Sequence, residues 1–200
     1  TLVCVSPSTC YQVYIDALDS DLKYRKTINA GASWQSAVII KGGITAVQLA
    51  IWYDKWTPAD TATKIHVVYA ESANDDLFYN YVDTGASDAM GTERTVFAGT
   101  VFTGASNFRT QIAKSRPSSA GANDGSLYVL WCNDLTCSEG DFYKSADLFA
   151  SAATNLLTPL EGAAADNVTL MPGNETDRYD MWLIFQDASA NELSLKTYDD

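Results

Sequence analysis

Short apolar runs alternate with polar turns along this chain, and the runs come in pairs. Val13-Tyr14-Ile15-Asp16 is followed by a turn and Leu22-Lys23-Tyr24, reaching Asn29. The pattern returns as Val67 to Glu71 with Leu77-Phe78-Tyr79, reaching Asp83, and as Leu127 to Trp131 with Phe142-Tyr143, reaching Asp147. A fourth pair, Met181 to Phe185 and Leu193-Ser194-Leu195, reaches Asp199. The intervals between these end points are 54, 64 and 52 residues. Asp19-Ser20-Asp21, Asn74-Asp75-Asp76, Asn133-Asp134 and Asn191-Glu192 sit between the paired runs, where a hairpin wants Asx chemistry.

Further strand candidates lie between the pairs: Ala46–Trp52, Arg94–Phe102, Arg109–Ala113 and Val168–Met171, with a short Thr1–Val5 strand at the start. Ser145–Leu157 has some helical propensity but falls where the repeat requires a turn and a strand. The first run of each pair is nearly continuous in apolar residues, which predicts a strand covered on both faces. Strand-rich repeats of this length, each an antiparallel sheet, describe a β-propeller-like array. The expectation is an all-β chain of about four antiparallel blades, roughly 1–43, 44–102, 103–162 and 163–200, with the last incomplete. A flat sandwich would explain the strands but not the common register of the four units.

With 46% hydrophobic and 12% aromatic residues, the 200-residue chain is not disordered, and it is long enough to bury a sizeable core. Thirteen basic against 25 acidic residues give a net charge of −12, which disfavours nucleic acid and anionic membranes as partners. No apolar run approaches a membrane span. The four cysteines form two local pairs, Cys4 with Cys10 and Cys132 with Cys137, and neither spacing suits zinc. Two short-loop disulfides are expected, and with them an oxidising compartment. The sequons at Asn167 and Asn174 point the same way, toward a secreted or surface-exposed protein. Starting at Thr1-Leu2-Val3, the sequence reads as a mature, processed or excised segment.

Thr27-Ile28-Asn29-Ala30-Gly31-Ala32-Ser33-Trp34 resembles the Asp box of sialidase-type propellers, with Asn29 in place of the aspartate. In such a turn the Asx side chain accepts backbone amides, glycine permits positive φ, hydroxyls cap, and the tryptophan packs beneath. A second copy keeps Asp83, Gly85 and Ser87 but has Asp88 where Trp would stand; the third keeps only Ser145-Ala146-Asp147, and the fourth opens with Thr197-Tyr198-Asp199. The resemblance implies that these residues stabilise turns on the outer rim and are not catalytic.

Sialidases of that family hold a substrate carboxylate with three arginines and use a Tyr/Glu pair with an Asp acid. Here there are five arginines, and Arg116-Pro117 is the nearest imitation of the family's Arg-Ile-Pro. His66, the single histidine, sits inside an apolar run and reads as packed or solvated. Asp16, Asp19 and Asp21 could supply oxygen ligands to calcium but read better as a solvated turn, so no cofactor is expected. Trp52, Tyr53 and Trp56 cluster before Pro58 and could stack on a sugar, although blade packing explains them as well.

The expectation is a non-catalytic extracellular propeller that binds at a surface or serves in an assembly, recognising glycans or protein subunits. Homo-oligomers or a larger assembly would cover its open edges. The alternative is a sialidase-like glycoside hydrolase, or a fragment of one.

Overall fold

The computed structural model describes residues 1–43, 46–71, 76–99, 109–132, 140–156, 165–173, 181–187 and 192–198. Every regular element among them is a strand except one short 3₁₀ turn, Asp54–Trp56. The strands form four antiparallel sheets in chain order. Sheet 1 holds β1 (Leu2–Cys4), β2 (Cys10–Asp16), β3 (Asp21–Thr27) and β4 (Val38–Lys41). Sheet 2 holds β5 (Ala46–Tyr53), β6 (Lys64–Glu71), β7 (Asp76–Asp83) and β8 (Ala89–Met90), with β9 (Arg94–Phe97) also paired to β7. Sheet 3 holds β10 (Arg109–Lys114), β11 (Leu127–Cys132), β12 (Gly140–Ser145) and β13 (Thr154–Asn155). Sheet 4 holds β14 (Ala165–Pro172), β15 (Met181–Asp187) and β16 (Glu192–Tyr198) among the described residues.

Both strands of each expected pair are present, and the described part of Ser145–Leu157, residues 145–156, forms a turn and β13, with no helix among them. Of the expected strand Arg94–Phe102, the first four residues pair with β7, and its end from Thr100 lies outside the described residues.

The sheets pack face to face in series, and the alternation along the middle strands sets which side chain serves which interface. In β6, Ile65, Val67 and Tyr69 join the core shared with sheet 1, while Val68 and Ala70 join the core shared with sheet 3. In β11, Leu127, Val129 and Trp131 face sheet 2, while Tyr128 and Leu130 face sheet 4. This double duty is why the two runs read as almost unbroken apolar sequence. At the array's first sheet the duty is single: Tyr11 and Val13 are buried, and the alternating Gln12 and Tyr14 are only half-buried. The first strands β5, β10 and β14 approach one another most closely between sheets, so the array converges on that side.

The turns after the third strands follow one hydrogen-bonding scheme in sheets 1 and 3. Thr27 Oγ1 donates to Asn29 Oδ1 (2.9 Å) and accepts from the Gly31 N–H (3.0 Å), and the Ser33 N–H donates to Asn29 Oδ1 (2.9 Å). In sheet 3, Ser145 Oγ donates to Asp147 Oδ1 (2.9 Å) and accepts from the Phe149 N–H (2.7 Å). Ser151 then takes the place of Ser33, its N–H donating to Asp147 Oδ2 at 3.0 Å. The third copy is thus a full turn, concealed in the sequence because Phe149 stands where glycine is expected. Phe149 holds φ +60° and Leu148 +59°, like Ala30 (+55°) and Gly31 (+89°) in the first.

The second copy is built differently. Tyr81 occupies the position of Thr27 and cannot supply the hydroxyl, so Thr63, just ahead of β6, donates Oγ1 to Asp83 Oδ1 at 2.7 Å. The Gly85 N–H also reaches Asp83 Oδ1, at 3.1 Å, and a Cβ at Gly85 would come within 2.5 Å of Thr63 Oγ1. The left-handed pair here is Ser87 and Asp88, so Ser87 is a strained turn residue and not a partner of Asp83 among the described bonds. Trp34 is half-buried, with the Arg25 guanidinium 4.8 Å from its ring centre. The fourth turn falls on residues 199–200, outside the described residues.

Left-handed backbone costs a non-glycine residue roughly 1–2 kcal/mol, and the flexibility of glycine gives back about 0.5–1 kcal/mol of any relief. Ala30→Gly, at an exposed site, should therefore raise stability by up to about 1 kcal/mol. Phe149 is 3% exposed and packs on Tyr79 at 5.1 Å, so Phe149→Gly should lower stability by about 2–4 kcal/mol. Urea titration of both variants would show the opposite signs; a gain for Phe149→Gly would mean that its ring contributes little.

Candidate functional site

The connection from β5 to β6, residues 54–63, places the aromatic cluster and a buried charge within a few residues of each other. Asp54 opens the 3₁₀ turn with its side chain pointing inward, fully buried. Its Oδ1 accepts from Lys114 Nζ on β10 (2.6 Å) and from His66 Nε2 on β6 (2.8 Å), and its Oδ2 accepts from the Lys64 N–H (2.7 Å). Lys114 Nζ also lies 2.8 Å from Asp60 Oδ2, an ion pair outside hydrogen-bonding angles. One ammonium is thereby matched to two carboxylates across the interface of sheets 2 and 3.

His66 extends the network. A carboxylate can only accept, so Nε2 carries the proton, and Nδ1 accepts from Tyr79 O–H at 2.7 Å. Burial pushes the imidazole below its ordinary value, with the Asp54 carboxylate opposing, and it stays neutral. Burial also drives the Tyr79 phenol well above its usual range, with the Asp54 charge adding to the effect. For Asp54 itself burial works the other way, but the bonds and charges of His66 and Lys114 outweigh it and hold the carboxyl below the usual carboxylate range. The order Tyr79–His66–Asp54 has the connectivity of a proton-relay triad, but all three side chains are sealed from solvent.

Above this anchor stands the aromatic cluster. Tyr53 is 4% exposed and belongs to the core shared with sheet 1, so it is no ligand platform. Trp52 is half-buried and donates Nε1–H to Thr57 Oγ1 (2.9 Å), which in turn donates to the Lys114 carbonyl (2.9 Å). Trp56 alone of the three is open, at 42% exposure, with its ring edge-on to Trp52 (5.6 Å) and Tyr53 (6.4 Å). Sequence reading grouped the three rings correctly but missed Asp54, Asp60, Lys114 and Tyr79. No motif marks them, because the network exists only where sheets 2 and 3 meet.

The remaining candidates are dispersed. Arg116 is half-buried and Arg94 exposed, while Arg25 is committed to Gln12 (2.6 Å) and to the Tyr14 and Trp34 rings; Arg178 and the Arg109 side chain lie outside the described residues. Asp16, Asp19 and Asp21 converge on the ammonium of Lys23, and the Asp19 and Asp16 contacts raise the Lys23 pKa. Asp88, in the position of the missing tryptophan, ties the first two sheets by accepting from Tyr11 O–H (2.5 Å) and Lys26 Nζ (2.8 Å). Cys4 and Cys10 form a disulfide between register partners on β1 and β2. Cys137, Asn174 and the side chains of Cys132 and Asn167 lie outside the described residues. Among the described residues no helix is long and apolar enough to cross a membrane.

Removing Asp54 would leave His66 without its acceptor and Lys114 half-neutralised in the interior. Asp54→Ala should cost about 3–5 kcal/mol, measured by denaturant titration. The pH dependence follows from the same contacts. His66 is harder to protonate when folded, so stability should fall as pH drops below its unfolded value of 6.5. Asp54, whose folded value is depressed, should add a second loss below 3.8. A His66→Gln variant should flatten the profile between pH 5 and 7; an unchanged slope would assign the loss to other groups.

No family model and no curated protein matches the chain. Among solved structures it is similar to the K499G mutant of NanB sialidase from Streptococcus pneumoniae, with a TM-score of 0.52 and 11% identity. That alignment covers 97% of this chain and 28% of the sialidase. The subtype N11 neuraminidase-like protein of A/flat-faced bat/Peru/033/2010 (H18N11) aligns at a TM-score of 0.43 and 13% identity, over 95% of this chain and 55% of that one. At such identities the likeness is one of fold, and the chain spans little more than a quarter of the sialidase. The four sheets are the blades of a sialidase-like β-propeller fold.

Proposed function

We propose that this chain is a non-catalytic extracellular propeller module that binds at a surface, with Trp56 as the ring on which a glycan stacks. The supporting observation is the mounting of Trp56: an exposed indole on a turn whose first residue, Asp54, is locked into the interior by three hydrogen bonds. A ring held this way loses little freedom when a ligand arrives, which favours binding. The turns at Thr27–Trp34 and Ser145–Ser151 are read as Asp boxes with a purely structural role. Secretion is supported by the Cys4–Cys10 disulfide and by the two sequons.

A second reading, a sialidase-like glycoside hydrolase or a fragment of one, draws support from the fold likeness to NanB sialidase. It requires arginines converging on one point; among the described residues Arg25 is engaged on sheet 1 with Gln12 and the Tyr14 and Trp34 rings, while Arg94 lies exposed on β9.

Binding to an immobilised panel of sialylated and galactosylated glycans discriminates the two. Retention of at least one glycan, lost in Trp56→Ala with an unchanged melting temperature, is the expected result. Turnover of a fluorogenic sialoside that disappears in Arg116→Ala would overturn it in favour of the hydrolase.

A further inference from the structure

Sheets 1 and 3 carry the same polar pair just ahead of their turns. On sheet 1, Tyr11 and Lys26 are register partners, with Val13 and Tyr24 next along the same face. On sheet 3, Tyr128 and Lys144 are register partners, with Leu130 and Phe142 next along the same face. Lys26 leads into the turn at Thr27 and Asn29, and Lys144 into the one at Ser145 and Asp147. Alternation therefore puts each lysine on the face that its sheet turns toward the following one. Between sheets 1 and 2 the pair has a defined task. Tyr11 O–H (2.5 Å) and Lys26 Nζ (2.8 Å) each hold one oxygen of the Asp88 carboxylate, which comes from sheet 2. A phenol and an ammonium placed in this way suit a planar, two-oxygen anion, and a bond to an ionised group is the stronger kind.

Between sheets 3 and 4 the same position opens on a cleft of about 370 Å³. Tyr128 is fully buried there, because Tyr198 at the end of β16 packs its ring in a T-shaped contact 5.8 Å from it. The phenol that lines the cleft with Lys144 is therefore that of Tyr198, also held against Phe142 at 5.8 Å. Asp147 lines it too, but Oδ1 accepts from Ser145 Oγ and the Ala150 N–H, and Oδ2 from the Ser151 N–H and Oγ, which fills the carboxylate's lone-pair sites. Thr154, the register partner of Lys144 on β13, adds a hydroxyl beside the lysine, and Leu156 an apolar wall. Burial pushes the Lys144 ammonium below its ordinary value, and an anion seated beside it would offset that penalty. The volume lies at the lower end of the roughly 300–1,000 Å³ that small-molecule sites span, which limits the occupant to a compact molecule.

We propose that the cleft between sheets 3 and 4 binds a small organic carboxylate, held by Lys144 and Tyr198 as Lys26 and Tyr11 hold Asp88, with its body along Thr154 and Leu156. The site is separate from Trp56 and does not rest on glycan binding there. Glucuronate and benzoate are the probes, with glucose and benzyl alcohol as their uncharged counterparts, titrated at constant ionic strength and followed by the amide NMR shifts of residues 144–156. The expected result is a saturable shift with at least one of the acids and none with its uncharged counterpart. Lys144→Met should weaken that binding about tenfold or more, as loss of a hydrogen bond to a charged group does, while Lys144→Arg keeps most of it. Tyr198→Phe should weaken it severalfold, with the melting temperature of each variant not lowered. Absence of saturable binding by either acid would overturn the proposal. Equal shifts with sodium sulfate would also overturn it, by reducing the site to general anion attraction, as would binding that survives Lys144→Met.

Discussion

Lys114 carries a positive charge to a place between two sheets where water does not follow, and much of the structure near it is arranged around that fact. An ammonium left unpaired in such a position is untenable, so two carboxylates are brought to it from the same connection, Asp54 at its start and Asp60 near its end. Holding both fixes the path of residues 54–63, which fixes the entry of β6 through the Lys64 N–H and positions Thr63 to cap the turn at Asp83. His66 and Tyr79 then satisfy one another across β6 and β7. Apolar contacts supply most of the burial between sheets 2 and 3, but they have no directional preference. The ionic network sets how the two sheets dock, because sliding one past the other would strand a charge.

Polar ties of a lighter kind recur between sheets 1 and 2. Asp88 bridges Tyr11 and Lys26, and Glu93 takes both Lys41 (2.9 Å) and Tyr69. The charged partners here keep partial contact with solvent, where an ion pair is worth little. The contrast identifies the second interface as the one in which charge burial carries the greater consequence, and it explains why acid should loosen that interface first.

The aromatic turn is a by-product of the same anchor. Trp56 is exposed because Asp54, two residues earlier, points inward, and a 3₁₀ turn of three residues cannot direct both side chains to one side. A binding ring and a structural charge are thus linked through the backbone, so any loss of binding on altering Asp54 has to be separated from loss of the fold.

Strand identity, pairing and the fourfold recurrence were all legible in the sequence, since alternation and turn residues act locally. The continuous apolar character of β6 and β11 even reported their two-sided burial, and Cys4 and Cys10 lie close enough in the chain to announce their bridge. What the sequence withheld was set across sheets. Phe149 hides a complete turn because its ring is needed between sheets 2 and 3, which outweighs the backbone preference for glycine. Tyr81 loses the capping role to Thr63, eighteen residues earlier. His66 was readable as a packed histidine, but its partners, from Asp54 to Lys114, are joined only by tertiary contact. Local physics writes the strands and most of their turns; the burial of charge and aromatic rings between sheets decides the rest, because a desolvated group must find its partner wherever the fold brings one.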